Sequence, residues 1–352
     1  MWYRLPPAGS RLLWLPRARC EPAEAPRKGL SNLFRPLGEP TVRRVGPNVL
    51  TLDYVDVTAG GETKKNFNVI KASHFVFQKH GLERSPWDRA VQFHDELINK
   101  TFPAGSGYEA TYRFTITEKV PASLAIVIER ADLHTVTCNG NPISTATDEW
   151  WLDKAFGKLD ISSAARVGEN EVTIKASPLT IYHELEAAFV IGAFSLEPAE
   201  KGFVIAPDRE LKPGPWNEQG APLYGGGVVY GQRFDLDGKS GRYWVVLTGW
   251  RGSVAKVRVN GQPAGAIWHQ PWACDVTDLI QPGENEIEVE VIGTLKNTLG
   301  PHHGNPGLGS AWPSMWDNAP EQGPPAGKAY STVGYGLLGP FDLFRHERSG
   351  AN

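Results

Sequence analysis

The chain has 352 residues, 41% of them apolar and 21% charged, with a formal net charge of −3. That length admits two or three domains, and that balance leaves no basic face able to displace counterions from phosphates, which excludes nucleic acid as a partner. No run of 18 apolar residues occurs, so no membrane-spanning helix is expected, and 38 Gly and 28 Pro against 2 Met favour turns and an all-β fold.

The first 20 residues, MWYRLPPAGSRLLWLPRARC, lack the charged start, continuous apolar stretch and small-residue cleavage site of an export signal. Residues 4–15 read as the closing edge of a preceding sandwich, which would leave apolar surface exposed without neighbouring strands. Residues 1–40 are therefore expected to be a domain edge and linker, and the chain to be a C-terminal piece or truncated relative of a longer protein. Cys20, Cys138 and Cys274 are far apart and form no C-x-x-C, which argues against zinc and against a disulfide framework.

Residues 48–57 read as a strand. Residues 85–99 read as a capped helix with Pro86 in its first turn, an elaboration of the module that follows.

A strand-and-turn series then runs from Phe114 to Ile174. It holds Phe114-Thr-Ile116, an apolar stretch at 124–128, and Val136-Thr-Cys138-Asn139-Gly140, whose Asn-Gly pair suits a tight hairpin because both residues tolerate positive φ. Trp150-Trp151, Asp160-Ile161-Ser162 and Gly168-Glu-Asn-Glu-Val172-Thr-Ile174 close the series.

The polar, breaker-rich residues 197–202 mark a boundary, after which the series recurs. Phe234-Asp-Leu236, Tyr243 to Leu247, Val257-Arg-Val259-Asn260-Gly261, Trp268, Pro271-Trp272, Asp275-Val-Thr277 and Gly283-Glu-Asn-Glu-Ile287 follow in order. Asp160 to Asn170 and Asp275 to Asn285 are both ten residues apart. The predicted architecture is two tandem antiparallel β-sandwiches with few helices, the first over 41–200 and the second over 201–345, followed by a tail at 346–352.

The second copy resembles the galactose-binding-like jelly-roll modules that accompany the catalytic barrel in glycoside hydrolase family 2 and its relatives. The matching stretches are V-R-V-N-G-Q-P-A-G at 257–265, P-W-A-C-D-V-T-D-L-I at 271–280 and G-E-N-E-I-E-V-E-V at 283–291. The longer stretch from Gly293 through Asn297, His302 and His303 to Pro340 is similar to the C-terminal region of multidomain glycosidases, including relatives of the family 106 α-L-rhamnosidases.

The resemblance implies a non-catalytic carbohydrate-binding or scaffolding region of a polysaccharide-degrading, periplasmic or secreted enzyme. Its partners would be an oligo- or polysaccharide and an upstream catalytic barrel. This chain has neither the length nor the strand–helix alternation to supply that barrel beside two sandwiches. The resemblance also implies no cofactor beyond a structural calcium, for which Asp132, Asp148 and Asp153 are the oxygen-bearing loop candidates.

Sandwich modules bind sugars by stacking pyranose faces on Trp or Tyr while polar side chains meet the hydroxyls. The carbohydrate-binding candidates are therefore Trp150, Trp151, Trp268, Trp312 and Trp316, with His302, His303 and Asn305 in the Gly-rich loop between them. Trp272 is assigned to packing. For a stand-alone hydrolase or lyase the acid–base candidates are Tyr182-His183-Glu184-Leu-Glu186 and the His302/His303 loop. A third reading is a structural clamp that binds no sugar.

Overall fold

The computed structural model describes residues 31–89, 91–238, 241–307 and 311–346. The features read at residues 4–15, at Cys20 and in the tail beyond 346 lie outside them. Among the described residues the fold is all-β, with 24 strands in five sheets.

The chain forms two compact units. Unit 1 takes Met1–Arg43, Val228–Ile292 and Gly336–Asn352; unit 2 takes Arg44–Gly227 and Gly293–Tyr335. These differ from the linear halves 41–200 and 201–345. The reason lies in strand pairing: Ser31–Phe34 pairs antiparallel with Asp342–His346, and Thr41–Arg44 lies beside Gly227–Leu236. Unit 1 thus begins, is interrupted by unit 2, and resumes. It yields Gly293–Tyr335 to unit 2 before its last strands.

Both units use the same strand order, to which unit 2 adds Trp150–Trp151 at one edge of its five-stranded sheet. In unit 2 a five-stranded sheet runs Trp150–Trp151, Asp153–Asp160, Leu124–Glu129, Ala188–Gly192, Asn48–Leu52, and a longer sheet contains Tyr108–Ile116, Gly168–Ala176, Thr135–Cys138 and Asn141–Ile143 in that order. In unit 1 the corresponding runs are Ala273–Asp275, Arg242–Val246, Asp342–His346, Ser31–Phe34, and Gly227–Leu236, Gly283–Ile292, Val254–Val259, Gln262–Ile267.

Alternation of buried and open positions drives these strands, as in Gly168–Ala176 and Gly283–Ile292, where every second side chain is buried. In unit 2 the buried side chains of both sheets merge into one core that includes Ile126, Ile174, Val190 and Phe194.

The two Asn-Gly turns are built alike. Asn139 and Asn260 both have φ +51°. Asn139 Nδ2 donates to Asn170 Oδ1 at 2.9 Å and Asn260 Nδ2 to Asn285 Oδ1 at 3.0 Å. Asn170, fully buried, donates to the carbonyls of Arg166 and Gly168; Asn285, also fully buried, donates to those of Gln281 and Gly283. The G-E-N-E motif is therefore a buried amide clamp that ties the strand entry to the hairpin opposite.

Two local expectations are corrected. The helix expected over 85–99 is three short turns, Pro86–Arg89, Val91–Phe93 and Asp95–Ile98, the last entered through His94 at φ −123°, ψ 85°, outside helical space. The long helix is instead Val69–Lys79, which buries Val69, Ala72, Phe75 and Val76 at three- and four-residue spacing. The strand expected over 48–57 is two strands, Asn48–Leu52 in the five-stranded sheet and Tyr54–Ala59 in the longer one. Asp53, the single residue between them, sits where the chain changes sheets.

Candidate functional site

Within unit 2 a cavity of about 400 Å³ lies over one face of the five-stranded sheet. Cross-strand register fixes that face: Lys158, Val127, Phe189 and Thr51 are direct neighbours across four strands, and Phe156 is opposite Glu129 one step further along. Side chains at alternate positions share a face, so Thr51, Phe189, Glu129 and Phe156 form a continuous wall. Asp53, Asn68, Val69, Ile70, Glu186 and Ala187 extend it.

The segment Gly293–Tyr335 supplies the opposite wall through Leu299, His302, His303, Pro313, Trp316 and Ala319. Specific bonds hold it there. Thr51 Oγ1 donates to Thr298 O at 2.8 Å, Tyr54 Oη to Pro320 O at 2.9 Å, and Asn68 N–H to Glu321 O at 3.0 Å. Asn297 joins the segment's two arms, donating from Nδ2 to Val333 O at 2.9 Å and accepting from Val333 N–H at 2.7 Å.

Asp53 is the polar centre. Its Oδ2 accepts from His303 Nε2 at 3.0 Å and its Oδ1 from Tyr330 Oη at 3.1 Å, and its carbonyl accepts the Val69 N–H that starts the helix at 2.9 Å. With side-chain exposures of 8% and 14% the His303–Asp53 pair is nearly desolvated, where hydrogen bonds are strong and geometry is held. His302, 5% exposed, donates Nε2–H to Asn297 O at 2.7 Å, and burial lowers it to about 4, so its ring is neutral at pH 7. Burial, helped by the negative charge of Asp153, pushes the Glu129 carboxyl up.

The structure brings His302, His303 and Trp316 to this cavity. Trp316 donates Nε1–H to Leu299 O at 2.9 Å, which fixes its indole. Trp151 stands beside the cavity against Phe189, ring centroids 5.5 Å apart. Four candidates lie elsewhere in the chain or point to solvent. Trp150 and Trp312 are exposed, Trp268 is exposed in unit 1 with its ring against His269 at 4.4 Å, and Asn305 is an exposed turn residue at φ +52°. Trp272 packs edge-on against Trp250 at 5.3 Å.

His183 has its nitrogens occupied. Nε2–H donates to Leu133 O at 2.9 Å, and Nδ1 accepts from Thr180 N–H and hydroxyl, both at 2.9 Å. That leaves it no lone pair for acid–base work, which corrects the role considered for it. The calcium candidates do not form a cradle. Asp132 is held by Arg130 through both oxygens, Asp153 caps the Ala155 N–H, and among the described residues no three His, Cys, Asp or Glu converge on one metal-sized space.

Sequence reasoning missed Asp53, Glu129 and Asn68. Asp53 lies inside the stretch 48–57 read as a single strand, and the usable signal is the charged residue that interrupts it before Tyr54.

No protein-family model matches the chain. A protein of Formosa agariphila, provisionally named a beta-glucuronidase, is 41% identical over 46 residues, which is 13% of this chain and 4% of that protein. Among solved structures, a rhamnosidase from Novosphingobium sp. PP1Y aligns over 70% of this chain and 23% of its own, at 21% identity and a TM-score of 0.30. A Bifidobacterium dentium beta-glucuronidase complexed with coumarin-3-O-glucuronide aligns over 44% of this chain and 28% of its own, at 22% identity and a TM-score of 0.27. The chain therefore spans a small part of each protein it is similar to, and those proteins carry glycoside hydrolase names.

Proposed function

We propose that this chain is a carbohydrate-binding, non-catalytic region of a polysaccharide-degrading glycoside hydrolase. In this reading its units are galactose-binding-like jelly-roll modules, its catalytic barrel lies in another part of the parent enzyme, and the unit 2 cavity holds the sugar. One observation carries the proposal: a nearly desolvated carboxylate, Asp53, held at both oxygens by His303 and Tyr330, faces a cavity of about 400 Å³ walled by Trp316, Phe156 and Phe189.

The size falls in the range of small-ligand sites. An oriented carboxylate accepts sugar hydroxyls, and aromatic walls meet the C–H faces of a pyranose.

Calorimetry of the full chain against neutral and acidic oligosaccharides tests it. Saturable binding that weakens at least tenfold in Asp53→Asn, with the circular dichroism spectrum kept, is expected; no heat with any saccharide would remove the proposal.

A second reading rests on Glu129 and Glu186 lining the same cavity as Asp53, since carboxyls in unlike environments can divide acid and base roles. It requires the purified chain to release sugar from aryl glycosides and Glu129→Gln to abolish that release.

A further inference from the structure

We infer that the site takes an oligosaccharide chain and not a single sugar, with one unit in the unit 2 cavity and the next in a groove beside it along the helix Val69–Lys79. The inference rests on the carbohydrate-binding reading of the cavity. The groove, of about 500 Å³, is a second hollow in unit 2, formed by the strand Glu62–Asn68, the helix and Glu321.

The groove adjoins the cavity because the same two elements line both. On the helix, Val69 and Ile70 line the cavity, while Lys71, His74 and Gln78 line the groove. On the roof segment, Ala319 lines the cavity and Glu321, two residues on, lines the groove. Their junction is crossed by a long hydrogen bond, Lys71 Nζ to Ala319 O at 3.5 Å, at the weak end of the range. Ile70 and Lys71 are half-buried there, so the junction reaches solvent. Helical spacing then sets a direction. Ile70, His74 and Gln78 are four residues apart and stand in line on one face. Eight residues of helix span about 12 Å, longer than one pyranose ring, so a chain leaving the cavity past Ile70 runs along this face.

The two spaces offer a sugar chain different halves of its hydrogen bonding. The cavity centre is an acceptor, Asp53. The groove carries donors: an ammonium holds three N–H groups, of which Lys71 gives one to Ala319 O, and Gln78 gives one of its two amide N–H groups to Glu83 O at 3.0 Å. Lys64 and Lys79 hold Glu62 between them at 2.7 and 2.5 Å, with both ammonium groups over the Phe75 ring, which fixes the groove's wall. Sugar hydroxyls both donate and accept, so successive units of one chain can meet both spaces.

Chain length tests this on the full chain: each neutral and acidic oligosaccharide set is titrated by NMR as its monosaccharide, disaccharide and trisaccharide at pH 7.5. In any set that binds, the trisaccharide is expected to bind at least tenfold more tightly than the monosaccharide. That ratio should fall threefold or more in Lys71→Met or, should that variant be less stable, in Gln78→Ala, whose side chain is exposed. Asp53→Asn should instead weaken every member of the set. A wild-type ratio of one or less, or a ratio that both groove variants leave unchanged, would overturn the inference and leave sugar binding standing; no binding by any member would remove the carbohydrate reading itself.

Discussion

Units 1 and 2 share a strand order and an Asn-Gly clamp, yet only in unit 2 is one face of the five-stranded sheet roofed by the segment Gly293–Tyr335. In unit 1 the strand Arg242–Val246 alternates between buried and open positions, and Trp244 lies under the Arg242 guanidinium at 5.1 Å. Unit 2 carries a cavity between that scaffold and the added segment, each of which supplies one wall.

The largest expected effects test whether the shared clamp is truly equivalent. Asn170→Ala and Asn285→Ala each remove two buried donors and an acceptor, and should each cost about 3 kcal/mol or more in the variant's own unit. Urea unfolding followed by segment-resolved hydrogen exchange reads this out. A cost under about 1 kcal/mol at one position alone would break the equivalence.

Acid should separate the units next. His134 and His302, both in unit 2, are buried and lowered by burial from an ordinary value near 6.5 to about 4. His134 donates Nδ1–H to Arg130 O and accepts from Tyr108 Oη, which fixes the neutral ring. Since the unfolded chain takes up these protons first, stability is fully present above about 6.5 and is lost as pH falls toward 4, by about 3 kcal/mol per histidine. The described histidines of unit 1, His269 and His346, are exposed and half-buried. Hydrogen exchange across this window should therefore show unit 2 opening while unit 1 stays protected; simultaneous opening would contradict the assignment.

A smaller effect tests the roof itself. Thr51→Val keeps the shape but leaves Thr298 O without its donor, and should cost about 1–2 kcal/mol, seen as faster exchange confined to Gly293–Tyr335 and its sheet. The smallest effects serve as controls. Trp150→Ala and Trp268→Ala remove exposed rings and should change stability by no more than about 0.5 kcal/mol, with sugar affinity unchanged. A tenfold loss of affinity in Trp268→Ala would move the binding site to unit 1.

Much of the scaffold was legible because its signals are local. Asn139-Gly140 and Asn260-Gly261 state their turns in two residues, and Gly168 to Ile174 and Gly283 to Val291 state their faces by alternation. The nesting of unit 2 within unit 1 was not legible, because Ser31–Phe34 and Thr41–Arg44 are four residues each and their partners lie about two hundred or more residues away. Of the cavity, the His302-His303 pair stood out by composition. Asp53, Glu129 and Asn68 did not, since Asp53 and Glu129 are single polar residues at the ends of apolar strands and Asn68 closes the largely polar strand Glu62–Asn68, and only strand register brings them together.

The nesting also sets an order of assembly. During synthesis, Ser31–Phe34 and Thr41–Arg44 leave the ribosome well before the strands they will lie beside, with Arg44–Gly227 made in between. At about 5–20 residues per second that delay is roughly ten to forty seconds. The unit 2 sheets can close during that interval, whereas unit 1 waits for Asp342–His346. Until then its early strands are open edges, the kind of template that pairs with a neighbouring chain. Thr41–Arg44 ends on two arginines, Arg43 and Arg44, and positive charge on an edge strand discourages such pairing during the wait.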